Sequence, residues 1–363
     1  GEIGKAIVEA VRDAGGEMTL ADLSTARVQE MRPLVTTFRG RRVLSFPPPS
    51  SGGIVIAQVM GMLNSRWRDV RAEPALSVRY VHFVAEASKH GFADRSRWLA
   101  DPSFVPVPIS ELTDPGYIAK ASTGISFDGV RGSIEEYGRP RADEAEAILH
   151  DGGTSHLSVV DRNGNAVACT ETINLVFGSL VAVPRFGFVL NNQMDDFTTI
   201  RGEANAFGLT QSARNMPRPG KRPLSSMSPT IVLNDLRDPA DAEVVAGASG
   251  GPLIISSTLQ AMLNVLVHDM PAWKAVGLPR FHHQWKPNAL DLEPVLFASP
   301  LNEALRDLGH IVEERDAIGN VQLIRRAPNP APARKPSSDA AEVPASVWQA
   351  ASDPRKGGKP AGE

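Results

Sequence analysis

Apolar residues in the first 153 positions recur mostly at intervals of three and four, which is the period of an amphipathic helix. The clearest case begins at Ile3 and is ended by two glycines, Gly15 and Gly16. One or two short strands are predicted at 37–46. The helical pattern itself predicts elements at 2–14, 20–31, 54–64, 74–91 and the second half of 134–153.

The pattern changes at residue 154, beyond which apolar and polar residues alternate with the period of two that is typical of half-buried strands. A glycine-rich turn at 248–252 leads into an apolar helix at 253–267, and a last helix fits 300–308. Residues 327–347 are rich in Ala, Pro and Ser, which predicts a flexible excursion. Strands are predicted on either side of Asn163-Gly164 within 154–174, and at 180–190, 228–234 and 243–248.

Composition and charge exclude several classes of function. Hydrophobic residues make up 42% of the 363 positions, which is enough for one or two domains with a substantial core. Lys and Arg number 38 against 41 Asp and Glu, so the net charge of -3 gives no electrostatic reason to bind nucleic acid. Cys169 is the only cysteine, which excludes internal disulfides and cysteine-based zinc sites. No apolar run reaches the roughly 18 residues that a membrane span requires.

Asn163-Gly164 between two apolar-alternating runs is the strongest local signal for a β-hairpin. If these two residues form the loop, Ser155 faces Thr172 and Ser158 faces Cys169. A longer loop would shift that register, but in either case Thr172 is expected close to Thr154. Asn174 is then expected just beyond this pair.

Thr154 follows two glycines, Gly152 and Gly153, in an acidic and polar stretch. A threonine hydroxyl is a poor nucleophile without an adjacent base, and cleavage of the chain before the threonine would free its own α-amine for that role. Glycines would allow the strained backbone that such a cleavage requires. Gly-Gly-Thr before a strand is also a common turn, so these three residues alone leave both interpretations open.

Four further stretches carry a resemblance to a known family. They are DGGTSHLSVVDRNGNAVACTETINLVFGS at 151–179, LNNQMDDF at 190–197, PGKRPLSSMSPTIV at 219–232 and GASGGP at 247–252. Together, in this order, they resemble γ-glutamyltransferase (glutathione hydrolase), a family of N-terminal-nucleophile hydrolases. PPPSSGG at 47–53 and SDPRKGGKPAG at 352–362 are similar to further segments of the same family.

The resemblance implies an αββα sandwich, in which two stacked sheets lie between helical layers. It implies a precursor that cleaves itself between Gly153 and Thr154 into two subunits that stay together as a heterodimer. Residues 1–153 would be the C-terminal part of the large subunit and 154–363 the small, catalytic subunit, together one domain. The family precursor carries a long region before the point matched by Gly1, and with it a secretion signal that suggests a periplasmic or extracellular location.

The implied substrates are glutathione and other γ-glutamyl compounds, with water, amino acids or dipeptides as acceptors, and no metal or organic cofactor. Thr154 matches the nucleophile, and Thr172 matches the threonine that orients it. Gly250 and Gly251 match the oxyanion hole, since free backbone amides at a helix start can bind an anion.

Five residues match the pocket for the substrate's head group. Asp196 and Gln193 would bind the α-amino group, for which a carboxylate is a suitable partner. The resemblance assigns the α-carboxylate to Ser225 and Ser226, and both ends of the head group to Asn174. Adjacent strand residues point to opposite faces, so the two serines can share a ligand only if their backbone is bent.

Other chemistry-bearing residues are interpreted as structural. His156 is expected to be a strand histidine, His282 and His283 to be packed, and Cys169 to be a small buried hydrophobe. Phe207 occupies a segment that matches the family's lid, where some members have a tyrosine that bonds across the site.

The family also supplies a carboxylate-binding arginine from the region before Gly1. Neither Arg12, Arg27 nor Arg32 lies in a matching motif, so that role is assigned to no residue here. Two alternatives stay open: a glutaryl-type amide acylase of the same fold, and an inactive, truncated homologue that acts only as a binding protein.

Overall fold

The computed structural model describes residues 1–139, 152–198, 205–209, 211–234, 241–328 and 346–362. Its α-helices are α1 Glu2–Asp13, α2 Leu20–Thr25, α3 Gly52–Ser65, α4 Trp67–Val70, α5 Val78–Trp98, α6 Ile109–Leu112, α7 Pro115–Gly124, α8 Leu253–Leu266, α9 Ala272–Gly277, α10 Pro294–Phe297 and α11 Pro300–Asp307. Short 3₁₀ turns occur at Ile134–Glu136, Gln193–Asp196 and Ala213–Asn215. None of the helices in these ranges is long and apolar enough to cross a bilayer.

The strands are β1 Leu34–Phe38, β2 Arg41–Ser45, β3 Gly152–Val160, β4 Ala166–Leu175, β5 Ala182–Val183, β6 Phe188–Val189, β7 Thr230–Leu233, β8 Ala242–Ser249, β9 Phe281–His282, β10 Leu290–Leu292, β11 Val312–Glu314, β12 Asn320–Pro328 and β13 Ser346–Ser352. Six of them form an antiparallel sheet in the order β1-β2-β7-β8-β12-β13. The β3–β4 hairpin, the β5–β6 pair and the three-stranded set β11-β10-β9 are separate sheets.

Helices α3 and α8 pack against the six-stranded sheet, α3 on β1 and α8 on β8 and β12, and α5 packs on α3. The three helices and the sheet share one hydrophobic core, which includes Ala246 and Ala248 of β8 and Ile255 and Leu259 of α8. Strand β8 is almost entirely buried, as expected for a central strand covered on both faces.

The β3–β4 hairpin is stacked on β8 and β12 of the six-stranded sheet. The two layers approach closely because β8 has Gly247 where the His156 ring packs, and a Cβ atom at that position would lie 2.2 Å from the ring. Stacked antiparallel sheets with a helical layer confirm the predicted fold class.

In an ordinary sandwich the apolar residues of a strand face inward and the polar residues face solvent, but in this hairpin the polar residues face inward. Thr154 and His156 lie on the inner face, whereas Leu157, Val159 and Val167 on the outer face are 47%, 50% and 53% exposed. The inner face of the hairpin therefore supplies polar groups to the space between the sheets.

Most predicted elements are present, with shifted ends. The helix expected at 20–31 ends at Thr25, and that expected at 74–91 runs from Val78 to Trp98. The single strand expected at 180–190 is two short strands, β5 and β6. The ends of the excursion expected at 327–347 are strands β12 and β13, and the remainder, like the helix expected in the second half of 134–153, lies outside the described residues.

The predicted two-residue loop at Asn163-Gly164 is wrong by one register step. The last facing pair is Val160 and Ala166, so the loop has five residues, Asp161–Asn165. The Asp161 carboxylate accepts hydrogen bonds from the backbone N–H groups of Asn163 and Asn165, at 2.8 and 2.9 Å, and thereby closes the wider turn. As a consequence, Thr154 faces Thr172 directly.

Several histidines are buried or half-buried and have lowered pKa values because burial disfavours the charged imidazolium. Burial lowers the pKa to about 4 for His90 and His156 and to about 3 for His282 and His310. An unfolded chain would protonate these groups below about pH 6.5, so acid destabilises the fold through them.

His282→Gln tests this linkage. The folded state keeps His282 neutral while the unfolded state binds a proton, so wild type should lose about 2 kcal/mol more stability than the variant between pH 6.5 and 5. The measurement is urea unfolding of both proteins at the two pH values. Identical losses of stability in wild type and variant between the two pH values would contradict the linkage. The variant also loses the hydrogen bonds from His282 to Ser256 and Gln284, but that loss is present at both pH values and does not affect the comparison.

Candidate active site

Thr154 is buried on the inner face of β3, opposite Thr172 of β4. The two hydroxyl oxygens are 2.8 Å apart. The backbone N–H of Asn174 donates to the Thr172 hydroxyl at 2.9 Å, which fixes the orientation of that group. The neighbourhood predicted from the hairpin is therefore present as a direct hydrogen bond.

A β-bulge lies directly beside Thr154. Two residues of β4, Ile173 and Asn174, lie opposite the single Gly153, and Asn174 adopts a left-handed φ of 73°. A Cβ atom at Gly153 would lie 2.1 Å from the carbonyl oxygen of Leu175. Only glycine fits at Gly153, so the bulge makes the residue before Thr154 structurally obligatory.

Asp196 is a carboxylate with little access to water, at 7% exposure. Its Oδ2 accepts from the Gln193 amide at 2.9 Å and its Oδ1 from Asn205 at 3.4 Å. Burial raises the pKa of Asp196 to about 7, Asp195 adds to the rise, and the Arg95 guanidinium opposes it. The neighbouring Asp195 carboxylate accepts from the backbone N–H of Ala206 at 3.1 Å, which is a structural contact.

Ser225 and Ser226 lie in an irregular stretch, as their expected common ligand requires. The segment Pro49–Ser51 clamps this stretch: the Ser225 N–H donates to the Pro49 carbonyl, and the Ser51 N–H donates to the Ser225 carbonyl, both at 2.8 Å. Both serines consequently reach the same cavity although they are adjacent in the chain.

Gly250 and Gly251 form the turn that leads into α8, with φ values of 128° and 57°. The Phe207 ring lies over Gly251, where a Cβ atom would be 2.6 Å from it. Gly250 packs against Gly319 instead. The predicted oxyanion pair is therefore adjacent to the site, with Gly251 at the cavity wall.

These elements meet around one narrow cavity with about 260 Å³ of empty space. Of the predicted site residues, Gly153 and Gly250 do not line it. Its lining consists of Thr154, Thr172, Asn174, Gln193, Asp196, Phe207, Ser225, Ser226, Met227, Gly251 and Ile254. A wider and mainly apolar groove of about 2060 Å³ adjoins it and shares Gln193, Ser225 and Met227 with it.

Sequence patterns did not single out three residues that shape the cavity. Ile254 and Met227 contribute apolar walls, and Ser51 holds the serine stretch. Ser51 lies within the recognised segment 47–53, so that segment held the available signal. Arg95, whose guanidinium donates a hydrogen bond to the Ser226 hydroxyl, lies in the last turn of α5, where no spacing rule marks it as a site residue.

The segment at the C-terminal end of the described chain contacts the backbone of Thr154. Lys356 Nζ donates to the Thr154 carbonyl at 3.2 Å. Buried ion pairs fix the residues before it: Asp353 with Arg280 at 2.7 Å and Arg355 with Glu293 at 2.5 Å.

One buried cluster within the described ranges has the composition of a metal site. His82, Glu86 and His310 offer ligand atoms within 4.8 Å of one another. Glu86 is already paired with the Lys89 ammonium at 2.7 Å, and the two imidazoles are hydrogen-bonded to each other at 2.7 Å. The Glu86 charge is therefore already balanced by Lys89, and the residues present fit hydrogen bonding better than metal ligation.

The other histidines considered in the sequence are packed as expected. His156 is bonded to Thr170 at 2.8 Å, His282 to Ser256 at 2.6 Å, and the His283 ring accepts from the Trp285 N–H at 3.1 Å. Cys169 is half-buried on β4, so the expectation of a buried hydrophobe holds only in part.

A family model described as gamma-glutamyltranspeptidase matches residues 1–363. The chain belongs to this family. The glutathione hydrolase proenzyme of Escherichia coli strain K12 is 38% identical over 329 residues, which cover 91% of the chain and 55% of that protein.

Two further relatives show how far the likeness extends. The protein named acylase ACY 1 proenzyme, from Pseudomonas sp. strain V22, is 32% identical over 91% of the chain and 54% of its own length. The crystal structure of cephalosporin acylase from Bacillus halodurans matches 98% of the chain and 57% of its own with a TM-score of 0.75, and at 22% identity it shows the fold alone. The chain spans about half the length of the curated relatives it matches.

The contact between Phe207 and Gly251 can be measured by Gly251→Ala with Gly187→Ala as a matched control. Both glycines have positive φ, 57° and 70°, but nothing lies within 4 Å of a Cβ atom at Gly187. The control should cost about 1–2 kcal/mol for backbone strain, and Gly251→Ala about 1–3 kcal/mol more because Phe207 must move. Urea unfolding gives both values, and equal costs would show that Phe207 does not pack tightly on the turn.

Proposed function

We propose that this protein is an autoprocessing γ-glutamyl hydrolase and transferase that acts on glutathione and related γ-glutamyl amides. The single observation that carries the proposal is the Thr154–Thr172 hydroxyl pair, at 2.8 Å, in a cavity shared with Asp196 and two serines. The family membership supports the same reaction class.

Cleavage of the Gly153–Thr154 bond gives Thr154 a free α-amine, which serves as its base. The amine takes the hydroxyl proton as Thr154 Oγ1 attacks the γ-glutamyl carbonyl carbon, while Thr172 holds that oxygen in place. Backbone amides at Gly250 and Gly251 stabilise the negative oxygen of the tetrahedral intermediate. The ammonium then returns the proton to the leaving amine as the C–N bond breaks, which leaves an acyl-enzyme ester on Thr154.

Water or the amine of an acceptor amino acid or dipeptide attacks this ester in the second half of the reaction. The same α-amine accepts the attacking group's proton and passes it to Thr154 Oγ1 as the ester breaks. Transfer and hydrolysis therefore use one set of groups and differ only in the acceptor.

Head-group recognition uses the opposite end of the cavity. Asp196, oriented by Gln193, pairs with the substrate's α-ammonium group, and the hydroxyls of Ser225 and Ser226 bind its α-carboxylate. Asn174, whose side chain is bonded to the Asn192 carbonyl at 3.2 Å, lies between the head group and the nucleophile pair.

Self-cleavage would divide the chain into residues 1–153 and 154–363, the two parts of one αββα domain. The strand pairing supports a stable heterodimer after cleavage, because β2 from the first part is hydrogen-bonded to β7 from the second. The same core also joins α3 and α5 to α8 across the cleavage point.

A glutaryl-type amide acylase is the second candidate, and the 32% identical relative named as an acylase favours it. A glutaryl side chain has no α-ammonium group, however, and would leave the buried Asp196 without its cation. An inactive homologue that only binds is the third candidate. The tests below separate these three.

Thr154→Ala tests the proposed cleavage. Purified protein, in its full precursor context, should separate into two fragments on incubation, and the second should begin at Thr154. The Thr154→Ala variant should stay intact because it lacks the hydroxyl that is the proposed nucleophile. Denaturing electrophoresis with N-terminal sequencing reads this out, and an intact wild-type chain without turnover would favour the inactive homologue.

The ratio of kcat/KM for γ-glutamyl-p-nitroanilide to that for glutaryl-p-nitroanilide should depend on pH. Asp196 is charged above its pKa of about 7, so α-ammonium binding is complete above that pH and is lost as pH falls through it. The ratio should fall about tenfold per pH unit below the pKa, whereas titration of the Thr154 amine affects both substrates alike. A ratio below one at pH 8 would favour the acylase, and a ratio constant from pH 5 to 8 would contradict the role of Asp196.

A further inference from the structure

We propose that Arg95 is a positioning residue that fixes the serine stretch and keeps Asp196 charged, and so makes the site selective for substrates with an α-ammonium group. This inference rests on the proposed function and specifies how the same site chooses its substrate class. Arg95 does not line the cavity and acts through its neighbours.

Arg95 projects from the C-terminal part of α5 and is 1% exposed. Its Nε donates to the Ser51 hydroxyl at 3.0 Å, and its Nη2 donates to the Ser226 hydroxyl at 3.4 Å. Within the described residues Nη1 has no hydrogen-bond partner.

Through its hydrogen bond to Ser51, Arg95 also acts on Ser225. The Ser51 hydroxyl accepts from Arg95 and donates its own proton to the Ser225 carbonyl at 2.8 Å. One guanidinium therefore holds the side chain of Ser226 directly and the backbone of Ser225 through Ser51. The irregular stretch that lets both hydroxyls reach the cavity is thus tied to α5.

Charge gives Arg95 its second effect. A buried guanidinium is costly unless a nearby anion compensates it. Arg95 and Asp196 each stabilise the charged form of the other: attraction to Arg95 lowers the pKa of Asp196, and attraction to Asp196 opposes the fall in the pKa of Arg95 that burial causes. Among the described residues, Asp195 also acts against the charged form of Asp196, whereas the side-chain amides of Gln193 and Asn205 donate hydrogen bonds to its carboxylate and favour the charged form.

Removal of the guanidinium should therefore move Asp196 further toward its neutral form. A neutral Asp196 still fits the cavity but no longer attracts an α-ammonium group. A glutaryl substrate lacks that group but keeps the carboxylate, so its turnover should fall only by the part that depends on the serine stretch, and by less than that of the γ-glutamyl substrate. Arg95 thus matters for the choice between the two substrates much more than for the chemical step at Thr154.

The test compares Arg95→Met and Arg95→Lys with Arg97→Met, all in the full precursor context. Arg97 lies on the same helix and is equally buried, but it donates to the backbone carbonyls of Glu135 and Tyr137. Arg95→Met should lower the γ-glutamyl to glutaryl ratio of kcat/KM at pH 7.5 by about tenfold or more and raise its pH midpoint by about one unit or more. Arg95→Lys keeps the positive charge, so the pH midpoint of its kcat/KM ratio should stay close to that of the wild type.

Arg97→Met should lower the melting temperature without moving the midpoint. Equal losses for both substrates with an unchanged midpoint in Arg95→Met would overturn the inference and leave Arg95 a structural residue. If the wild type turns over neither substrate, the proposed function fails, but the Arg95 inference can still be decided. Carbon-13 NMR titration of the Asp196 carboxyl group in a Thr154→Ala background should show a higher pKa when Arg95→Met is added. An unchanged pKa would overturn the inference.

Discussion

The site depends on the register of β3 against β4 in the hairpin that is stacked on the six-stranded sheet. Because side chains alternate along a strand, a shift of one residue would move Thr154 from the inner face to the outer face. The five-residue turn that Asp161 closes and the bulge opposite Gly153 fix the register at the two ends of the hairpin. Gly247 of β8 then allows the hairpin to approach closely enough for Thr154 to reach the cavity.

Electrostatics in this site follow from burial. Asp196 is largely shielded from water, and among the described residues its charged form is favoured by the side-chain amides of Gln193 and Asn205 and by the Arg95 guanidinium. A carboxyl group whose pKa is about 7 is readily shifted toward its charged form by a positive charge placed beside it. Asp196 lies in a short 3₁₀ turn, whereas Thr154 lies on the paired strand β3, so the two sides of the cavity are built from different kinds of element.

The elements that the sequence predicted well are those with a strong local period. Helix α8 was expected at 253–267 and runs from Leu253 to Leu266, and the strands β7 and β8 were found within two residues. The hairpin loop was predicted from Asn163-Gly164, whereas the two-residue turn with both φ positive occurs at Arg39-Gly40. The hydrogen bonds that the Asp161 carboxylate accepts stabilise the five-residue loop. The Asn-Gly dipeptide alone carries no information about that side-chain contact.

Site residues could be predicted only where a motif contained them. Thr154, Thr172, Asp196 and the two serines lie in recognised segments and do meet in one cavity. Ile254 lines the same cavity and Arg95 contacts Ser226 behind it, both through packing between elements far apart in the chain, for which the local sequence carries no signal.

The most direct test of the account is to trap the covalent intermediate. Processed protein is mixed with a γ-glutamyl amide, quenched in acid within the first turnover, digested and mapped by mass spectrometry. The account predicts one glutamyl ester, on the peptide that begins with Thr154, and its absence when Thr172 is replaced by Val. Turnover with no adduct, or with an adduct on another residue, would contradict Thr154 as the nucleophile.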